Sequence, residues 1–303
     1  MTLYAPAYYP DFKCIADKCT HSCCVGWEID IDKDAMLTYQ HMENPYGDVI
    51  RKSIDTTGES PCFRLDARER CPHLDECGLC NIITHVGEGY LCHICREHPR
   101  FYNTTSQGME VGLGMACEEA CRIILTAKNF AQMVELGEVD GDVPSLAFDP
   151  LPYRQKAYAI LQDDTLSYGQ KLHTLTMAFD ISPVCEDDDL WREVLADLEY
   201  LNHAHAPLFQ AYAYGATPPA DLESPLLSAL AYFIYRHGAP AYDIEDLRAS
   251  VGFGLFCVHL ITSMMASKGC HDLAGLCEIA RMVSEELEYC EENTERIQME
   301  FLF

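Results

Sequence analysis

Basic residues are scarce in this chain. Its 303 residues include 21 Lys and Arg against 48 Asp and Glu, which gives a formal net charge of −27. A negative field of this strength repels phosphate backbones, so the composition argues against a nucleic-acid partner. A cationic protein substrate would suit such a surface, although an acidic face that keeps the protein in solution is the more ordinary interpretation.

Long apolar runs are also lacking. The longest, VGFGLFCVHLITSMMA at 251–266, is shorter than the ~20 residues that a membrane-spanning helix needs. We therefore expect a buried core helix there and no membrane span. The first residues, MTLYAPAYYPDF, have neither the charged nor the apolar region of a signal peptide, which predicts a cytoplasmic protein.

Two motifs that bind S-adenosylmethionine (SAM) are missing as well. A radical SAM enzyme uses a Cys-x3-Cys-x2-Cys loop; Cys19 and Cys23 match its first two positions, but Gly26 stands at the third. Common methyltransferases bind SAM with a Gly-rich strand–turn–helix loop, and GLGMAC at 112–117 is too weak a match to that pattern. Any SAM site in this chain is therefore an unconventional one.

Cysteine, in contrast, is abundant. The chain has 17 cysteines, and all but five of them lie before residue 122. In a reducing compartment, clustered thiols indicate a metal site rather than a disulfide framework. The later five lie in helical-looking sequence, where we expect small buried apolar side chains: Cys185, Cys257, Cys270, Cys277 and Cys290.

The early cysteines fall into groups with chelating spacing. These groups are Cys14-x4-Cys19-x3-Cys23-Cys24, then Cys71, Cys77 and Cys80, then Cys92-x2-Cys95, then Cys117-x3-Cys121, with Cys62 apart. Thiolates two to four residues apart can converge on one ion or cluster because a tight turn aims both sulfurs inward. The irregular spacing favours an iron–sulfur cluster, with zinc as the alternative. Adjacent Cys23 and Cys24 cannot easily ligate a single ion together.

The overall pattern predicts a mainly α protein. Residues 1–136 form a Cys-rich, loop-and-helix metal-binding unit, in which Asp32 caps a short helix. GEVDGDVPSLAFDPLP at 137–152 is the linker candidate, and 153–303 is an all-α helical unit with apolar residues three and four apart.

Four sequence blocks resemble the flagellin lysine N-methylase family, which carries a Cys-rich zinc- or iron-chelating domain. The blocks are FKCIADKCTHSCCVGWEIDIDKDAMLTY, CPHLDECGLCNI, GEGYLCHICREHPR and GMACEEACRIIL. They follow in order over residues 8–125, whereas the C-terminal half is similar only as helical sequence. Carried over position by position, the family's thiols correspond to Cys14, Cys19, Cys23, Cys24, Cys71, Cys80, Cys95 and Cys117, with Cys92 as a further candidate.

This resemblance implies SAM-dependent N-methylation of lysine side chains, with flagellin as the protein substrate and a 4Fe–4S cluster as cofactor. Arg100 is then a candidate for holding the carboxylate of SAM. The sequence singles out no catalytic residue, although Asp30, Asp32 and Tyr102 lie close to the cysteine blocks. The alternatives are a non-enzymatic metal-binding interaction protein with a structural zinc or iron–sulfur site, and a redox protein.

Overall fold

The protein is mainly α-helical. The structure is a computed structural model that describes residues 1–58 and 60–302. Within them the α-helices are α1 (Lys33–His41), α2 (Pro45–Ser53), α3 (Asn81–Val86), α4 (His93–Glu97), α5 (Glu118–Leu125), α6 (Leu151–Leu161), α7 (Tyr168–Ala178), α8 (Asp188–Asp197), α9 (Ala206–Gln210), α10 (Glu223–Gly238), α11 (Ile244–Lys268), α12 (Leu273–Glu288) and α13 (Glu291–Met299). The strands are β1 (Thr2–Pro6), β2 (Ile54–Asp55), β3 (Cys62–Phe63), β4 (Arg100–Thr105), β5 (Gly108–Leu113) and β6 (Met133–Glu138).

The chain divides into two compact units. The smaller unit is Lys13–Pro99, and the larger unit combines Met1–Phe12 with Arg100–Phe303. The N-terminal segment belongs to the larger unit because β1 pairs with β5 and with β6. The linker predicted at 137–152 therefore lies within the larger unit, between β6 and α6.

The smaller unit holds most of the early cysteines around a small core. Nine buried residues make up this core, among them Tyr39, Ile50 and Phe63 together with Cys71 and Cys92. A core of this size stabilises a unit weakly, which is the situation in which small proteins add metal or disulfide cross-links.

Helix α1 begins where the sequence predicts. The Asp32 carboxylate accepts a hydrogen bond from the Ala35 backbone N–H at 3.0 Å, which satisfies one of the helix's unpartnered donors. Its second oxygen accepts the His93 backbone N–H at 2.6 Å. Asp32 is thus confirmed as a helix cap, and it also ties α1 to the start of α4.

A four-stranded sheet in the larger unit corrects the expectation of a loop-and-helix unit followed by an all-α unit. Its strand order is β4-β5-β1-β6, with β1 parallel to β5 and the other pairs antiparallel. Strand β5 is buried at five of its six residues, so it lacks the apolar–polar alternation that reveals a half-exposed strand. Gly108 allows the close approach of β1, since a Cβ there would lie 2.3 Å from the Thr2 carbonyl oxygen.

Helix α11 forms the centre of the larger unit. Asp243 caps its start, and Gly269 ends it in a left-handed conformation with φ 65°. The helix is long and apolar enough to cross a membrane, but 89% of its apolar window is buried inside the protein. The expected buried helix at 251–266 is confirmed, and Phe256 on it stacks on Trp191 at a ring-centroid distance of 3.6 Å.

Candidate metal centre

Five thiols come together in the smaller unit, and we call them the thiol cluster. They are Cys24, Cys71, Cys80, Cys92 and Cys95. Two of the five, Cys71 and Cys92, are buried, and the other three are partly buried and pack against the same apolar core. Segments more than seventy residues apart in sequence thus supply sulfur atoms to one region.

Backbone pairing places the first three of these thiols. Cys71 donates its backbone N–H to the Cys24 carbonyl at 2.8 Å, which joins the first two cysteine blocks. The turn that follows Cys71 closes on Asp75, whose carboxylate accepts the backbone N–H groups of Cys77 and Leu79, each at 2.8 Å. This turn returns the chain so that Cys80 stands beside Cys71, where α3 begins.

The other two thiols come from the start of α4. The Sγ atoms of Cys92 and Cys95 lie 3.3 Å apart and share a hydrogen bond. That bond lowers the pKa of Cys92 and raises the pKa of Cys95. The pair has the local geometry of a Cys-x2-Cys chelating turn.

The electrostatics of the cluster depend on burial and on mutual repulsion. Burial, with a smaller contribution from the neighbouring Cys24, Cys80 and Cys92, raises the pKa of Cys71 to about 12. Cys24 differs, since a hydrogen bond from Cys23 lowers its pKa to about 7. Five thiols this close cannot all ionise without a compensating positive charge, which is what a metal centre provides.

The remaining carried-over cysteines do not belong to the core of the smaller unit. Cys14 is exposed, the Cys19 thiol donates to the His21 carbonyl at 3.1 Å, and Cys23 is exposed beside Cys24. Cys117 belongs to the larger unit, where it precedes the first turn of α5. The structure therefore groups five of the nine candidates, with the further candidate Cys92 among them.

The five later cysteines differ in how deeply they are buried. Cys185 and Cys257 are buried, as the sequence predicts, whereas Cys270, Cys277 and Cys290 are only partly buried. Their surroundings in the larger unit are helical, as expected.

Arg100 opens β4 and packs among aromatic side chains of the larger unit. Its Nε donates to the Tyr9 hydroxyl at 2.9 Å, and its guanidinium carbon lies 5.7 Å from the Phe12 ring centroid. These contacts give the Arg100 side chain a structural role, and its role toward SAM stays a prediction. Tyr102 and Asp30 are both exposed.

A cavity of about 290 Å³ lies beside the thiol cluster in the smaller unit, and we call it the α4 cavity. Asp32, Asp34, Tyr90, His93 and Arg96 are among the side chains that line it. Sequence reasoning did not find Asp34, His93 or Arg96 as site residues. In the sequence, only their position near the cysteine blocks marks them. That position does not show that α1 and α4 meet.

A second set of metal-type side chains lies in the larger unit. Ligand atoms of His205, Glu285 and Glu286 lie within 4.8 Å of one another. The buried Glu286 carboxylate, however, already accepts hydrogen bonds from the backbone of Leu201 and from the His205 ring at 2.7 and 2.6 Å. Glu285 is paired with Arg281 at 2.9 Å. We interpret this group as an anchor that holds the 199–205 segment to α12.

Comparison with known proteins shows which family the chain belongs to. The chain is 30% identical over 147 residues to the flagellar biosynthetic protein FliU of Salmonella muenchen, a match that covers 46% of this chain and 83% of that protein. The chain belongs to the FliU family. No family profile matches this FliU-family chain, and no solved structure matches it.

Two proteins named lysine-N-methylase also match the FliU-family chain. They come from Salmonella choleraesuis (strain SC-B67) and Salmonella typhimurium (strain LT2), and each is 29% identical over 134 residues. Each match covers 41% of this chain but 33% of the relative, so the aligned segment spans a third of either lysine-N-methylase. The relationship is a partial one, and it supports a methyltransferase-like function.

Proposed function

We propose that the chain is a protein lysine N-methyltransferase that uses SAM as methyl donor and carries an iron–sulfur cluster on its thiol cluster. The observation that carries the proposal is the convergence of five thiols in the part of the chain that resembles lysine N-methylases. The printed names of the relatives, a flagellar biosynthetic protein and two lysine-N-methylases, make flagellin the substrate to test first.

The absence of a close trio of thiols in the described residues supports an iron–sulfur cluster over a single zinc ion, whereas the 3.3 Å between the Cys92 and Cys95 sulfurs is a separation that one zinc ion would also give. A tetrahedral zinc with Zn–S bonds of about 2.3 Å holds its sulfurs only about 3.8 Å apart. Across residues 1–58 and 60–302, the sole trio of candidate ligand atoms within 4.8 Å of one another is the His205 group, so no three thiols are that close. A cluster spreads its thiolates wider because each ligates a different iron.

The residues that would hold such a cluster are the five of the thiol cluster. Cys71, Cys80 and the pair Cys92 and Cys95 come from turns and helix starts, and Cys24 adds a thiol whose pKa is lowered to about 7. When bound, an iron–sulfur cluster supplies iron centres for redox or Lewis-acid chemistry and cross-links the segments that ligate it.

Methyl transfer itself needs a deprotonated amine. The lone pair of the lysine nitrogen attacks the methyl carbon, the S–CH₃ bond breaks, and S-adenosylhomocysteine leaves with the electron pair. The protein must hold the methyl group in line and accept the proton of the amine. The chain's net charge of −27 attracts a lysine-rich substrate surface before either step.

Transfer of tritiated methyl groups from SAM to purified flagellin, with anaerobically purified protein, tests the proposal. We expect label on flagellin lysines with wild-type protein and a loss of transfer in Cys80→Ser. The matched control is Cys77→Ser, which changes an exposed cysteine three residues away. No transfer by wild-type protein with a full cluster would contradict the enzymatic function.

A structural metal site is the second candidate function, and the small core of the smaller unit favours it. In that case Cys80→Ser would lower the stability of the unit, and wild-type protein would transfer no methyl group. The same pair of variants therefore separates the two functions.

A further inference from the structure

The α4 cavity shows both signs of charge on its lining. Asp32 and Asp34 come from the start of α1, and Arg96 comes from α4. The Tyr90 ring completes the wall and is 39% exposed. A cavity with two carboxylates, one guanidinium and one aromatic ring suits a small ligand that carries charges of both signs.

The cavity adjoins the thiol cluster. Asp32 lies close enough to Cys92 to influence the pKa of its thiol, and it hydrogen-bonds the His93 backbone N–H at 2.6 Å. The buried Tyr39 side chain also contacts the cavity wall, because its hydroxyl donates a hydrogen bond to the Tyr90 carbonyl at 2.7 Å. The hydrogen bond between Asp32 and His93 therefore holds the lining of the cavity to the segment that carries Cys92 and Cys95.

We infer that the α4 cavity binds the amino-acid end of SAM, an inference that rests on the proposed function. That end carries an ammonium, a sulfonium and a carboxylate. One exposed carboxylate and one aromatic ring face its two cations, and one guanidinium faces its one anion. The lining thus offers a partner to each charge of the ligand.

Individual roles follow from the partners of each group. Both Asp32 oxygens already accept backbone N–H groups, so Asp34, whose carboxylate is exposed, is the main partner of the ammonium. Arg96 binds the carboxylate, since a guanidinium offers two parallel N–H donors to it; its Nε also lies 3.6 Å from the Glu97 carboxylate. The Tyr90 ring attracts the sulfonium as aromatic rings attract other cations.

The cavity's volume sets how much of SAM it holds. About 290 Å³ is at the lower end of the volumes of small-molecule sites, so it holds the amino-acid end and leaves the nucleoside outside. This arrangement needs no Gly-rich nucleotide loop, in agreement with the sequence.

Calorimetric titration of SAM and of 5′-methylthioadenosine into the anaerobically purified full chain tests the inference. Methylthioadenosine keeps the nucleoside but lacks the amino-acid end. We expect Asp34→Asn and Arg96→Gln each to weaken SAM binding about five- to tenfold and to leave methylthioadenosine binding unchanged. Both side chains are exposed, so the variants should fold normally.

Matched controls are Asp189→Asn and Arg192→Gln, which make the same charge changes at an exposed pair on α8 of the larger unit. They should bind SAM as wild type does. Unchanged SAM binding in the α4-cavity variants, with binding by wild type, would overturn the inference and leave the proposed function standing. An equal loss of methylthioadenosine binding would also overturn it. No SAM binding by wild-type protein would overturn the SAM-dependent function and this site together.

Discussion

Cys92 and Cys95 hold their sulfur atoms 3.3 Å apart at the start of α4, where one thiol hydrogen-bonds to the other. On the same short helix, His93 and Arg96 face the α4 cavity. One turn of chain thus carries both the chelating pair and part of the proposed SAM site. A change in the metal centre should therefore be felt at the cavity.

Metal removal should loosen the smaller unit in particular. Its described core has nine buried apolar residues, so the cross-links of the proposed metal centre would supply much of its stability. We expect a chelator to speed limited proteolysis within Lys13–Pro99 while α10–α12 stay resistant, with cleavage sites read by mass spectrometry. Equal cleavage rates before and after chelation would show that metal does not stabilise this unit.

The buried Glu288 carboxylate should be essential for the stability of the larger unit. Its side chain is fully buried and is bonded by Tyr232 at 2.9 Å and by His237 at 2.7 Å, with Arg236 at 3.4 Å. Burial opposes ionisation, but Arg236 and His237 outweigh it and hold the pKa of Glu288 below its usual value. Glu288→Gln leaves Arg236 without its counter-charge and should cost about 3 kcal/mol in the free energy of unfolding.

Glu278→Gln provides the control for that variant in chemical denaturation. It lies on the same helix, but its partner Lys268 is 3.4 Å away at an exposed position. We expect a change of less than about 0.5 kcal/mol. Similar effects of the two substitutions would contradict the importance of the buried network.

Acid should destabilise the larger unit through His259. Burial lowers the pKa of His259 from 6.5 to about 4, and its ring packs 4.9 Å from the Tyr214 ring. The unfolded chain therefore binds a proton that the folded chain refuses, so this contribution is complete above pH 6.5 and falls as the pH drops toward 4. Between pH 8 and pH 5 the loss from this residue is about 2 kcal/mol.

Denaturation of wild-type protein and His259→Gln at pH 8 and pH 5 measures how much His259 contributes to the loss of stability in acid. The variant should lose less stability than wild type over the same interval, by about 2 kcal/mol. Parallel losses would show that His259 titrates normally in the folded protein.

Gly108→Ala should disturb the pairing of β1 with β5. The backbone at Gly108 has φ 145°, and an added Cβ would lie 2.3 Å from the Thr2 carbonyl oxygen. We expect a loss of at least about 2 kcal/mol in thermal or chemical unfolding. Gly169→Ala is the control, because a Cβ at this position in α7 meets nothing within 4 Å and should stabilise the helix slightly.

Local signals in the sequence predicted helices well and tertiary pairing poorly. The cap at Asp32, the acidic first turn of α5 at Glu118 and Glu119, and the apolar core of α11 all appear in the structure. Strand β5 was missed because it is buried on both faces, where a strand and a short buried helix have the same pattern. The N-terminal β1 joins a unit that begins again at Arg100, and only long-range pairing shows this.

In the candidate site, too, the sequence predicted local features and did not predict which distant segments meet. Cysteine spacing predicted the close approach of Cys92 and Cys95, because that geometry is local; their role as ligands stays a prediction. Which turns meet is decided by folding: Cys24 is joined to Cys71 by a backbone hydrogen bond, whereas Cys117 lies in the other unit. The α4 cavity depends on the meeting of α1 with α4, so no short motif could have revealed it.

Iron and acid-labile sulfide analysis of anaerobically purified protein tests the central claim most directly. We predict roughly four iron and four sulfide per wild-type chain, a similar content in Cys77→Ser, and a strong loss in Cys80→Ser. Zinc without labile sulfide, or an iron content in Cys80→Ser equal to that of wild type, would contradict an iron–sulfur cluster on the thiol cluster.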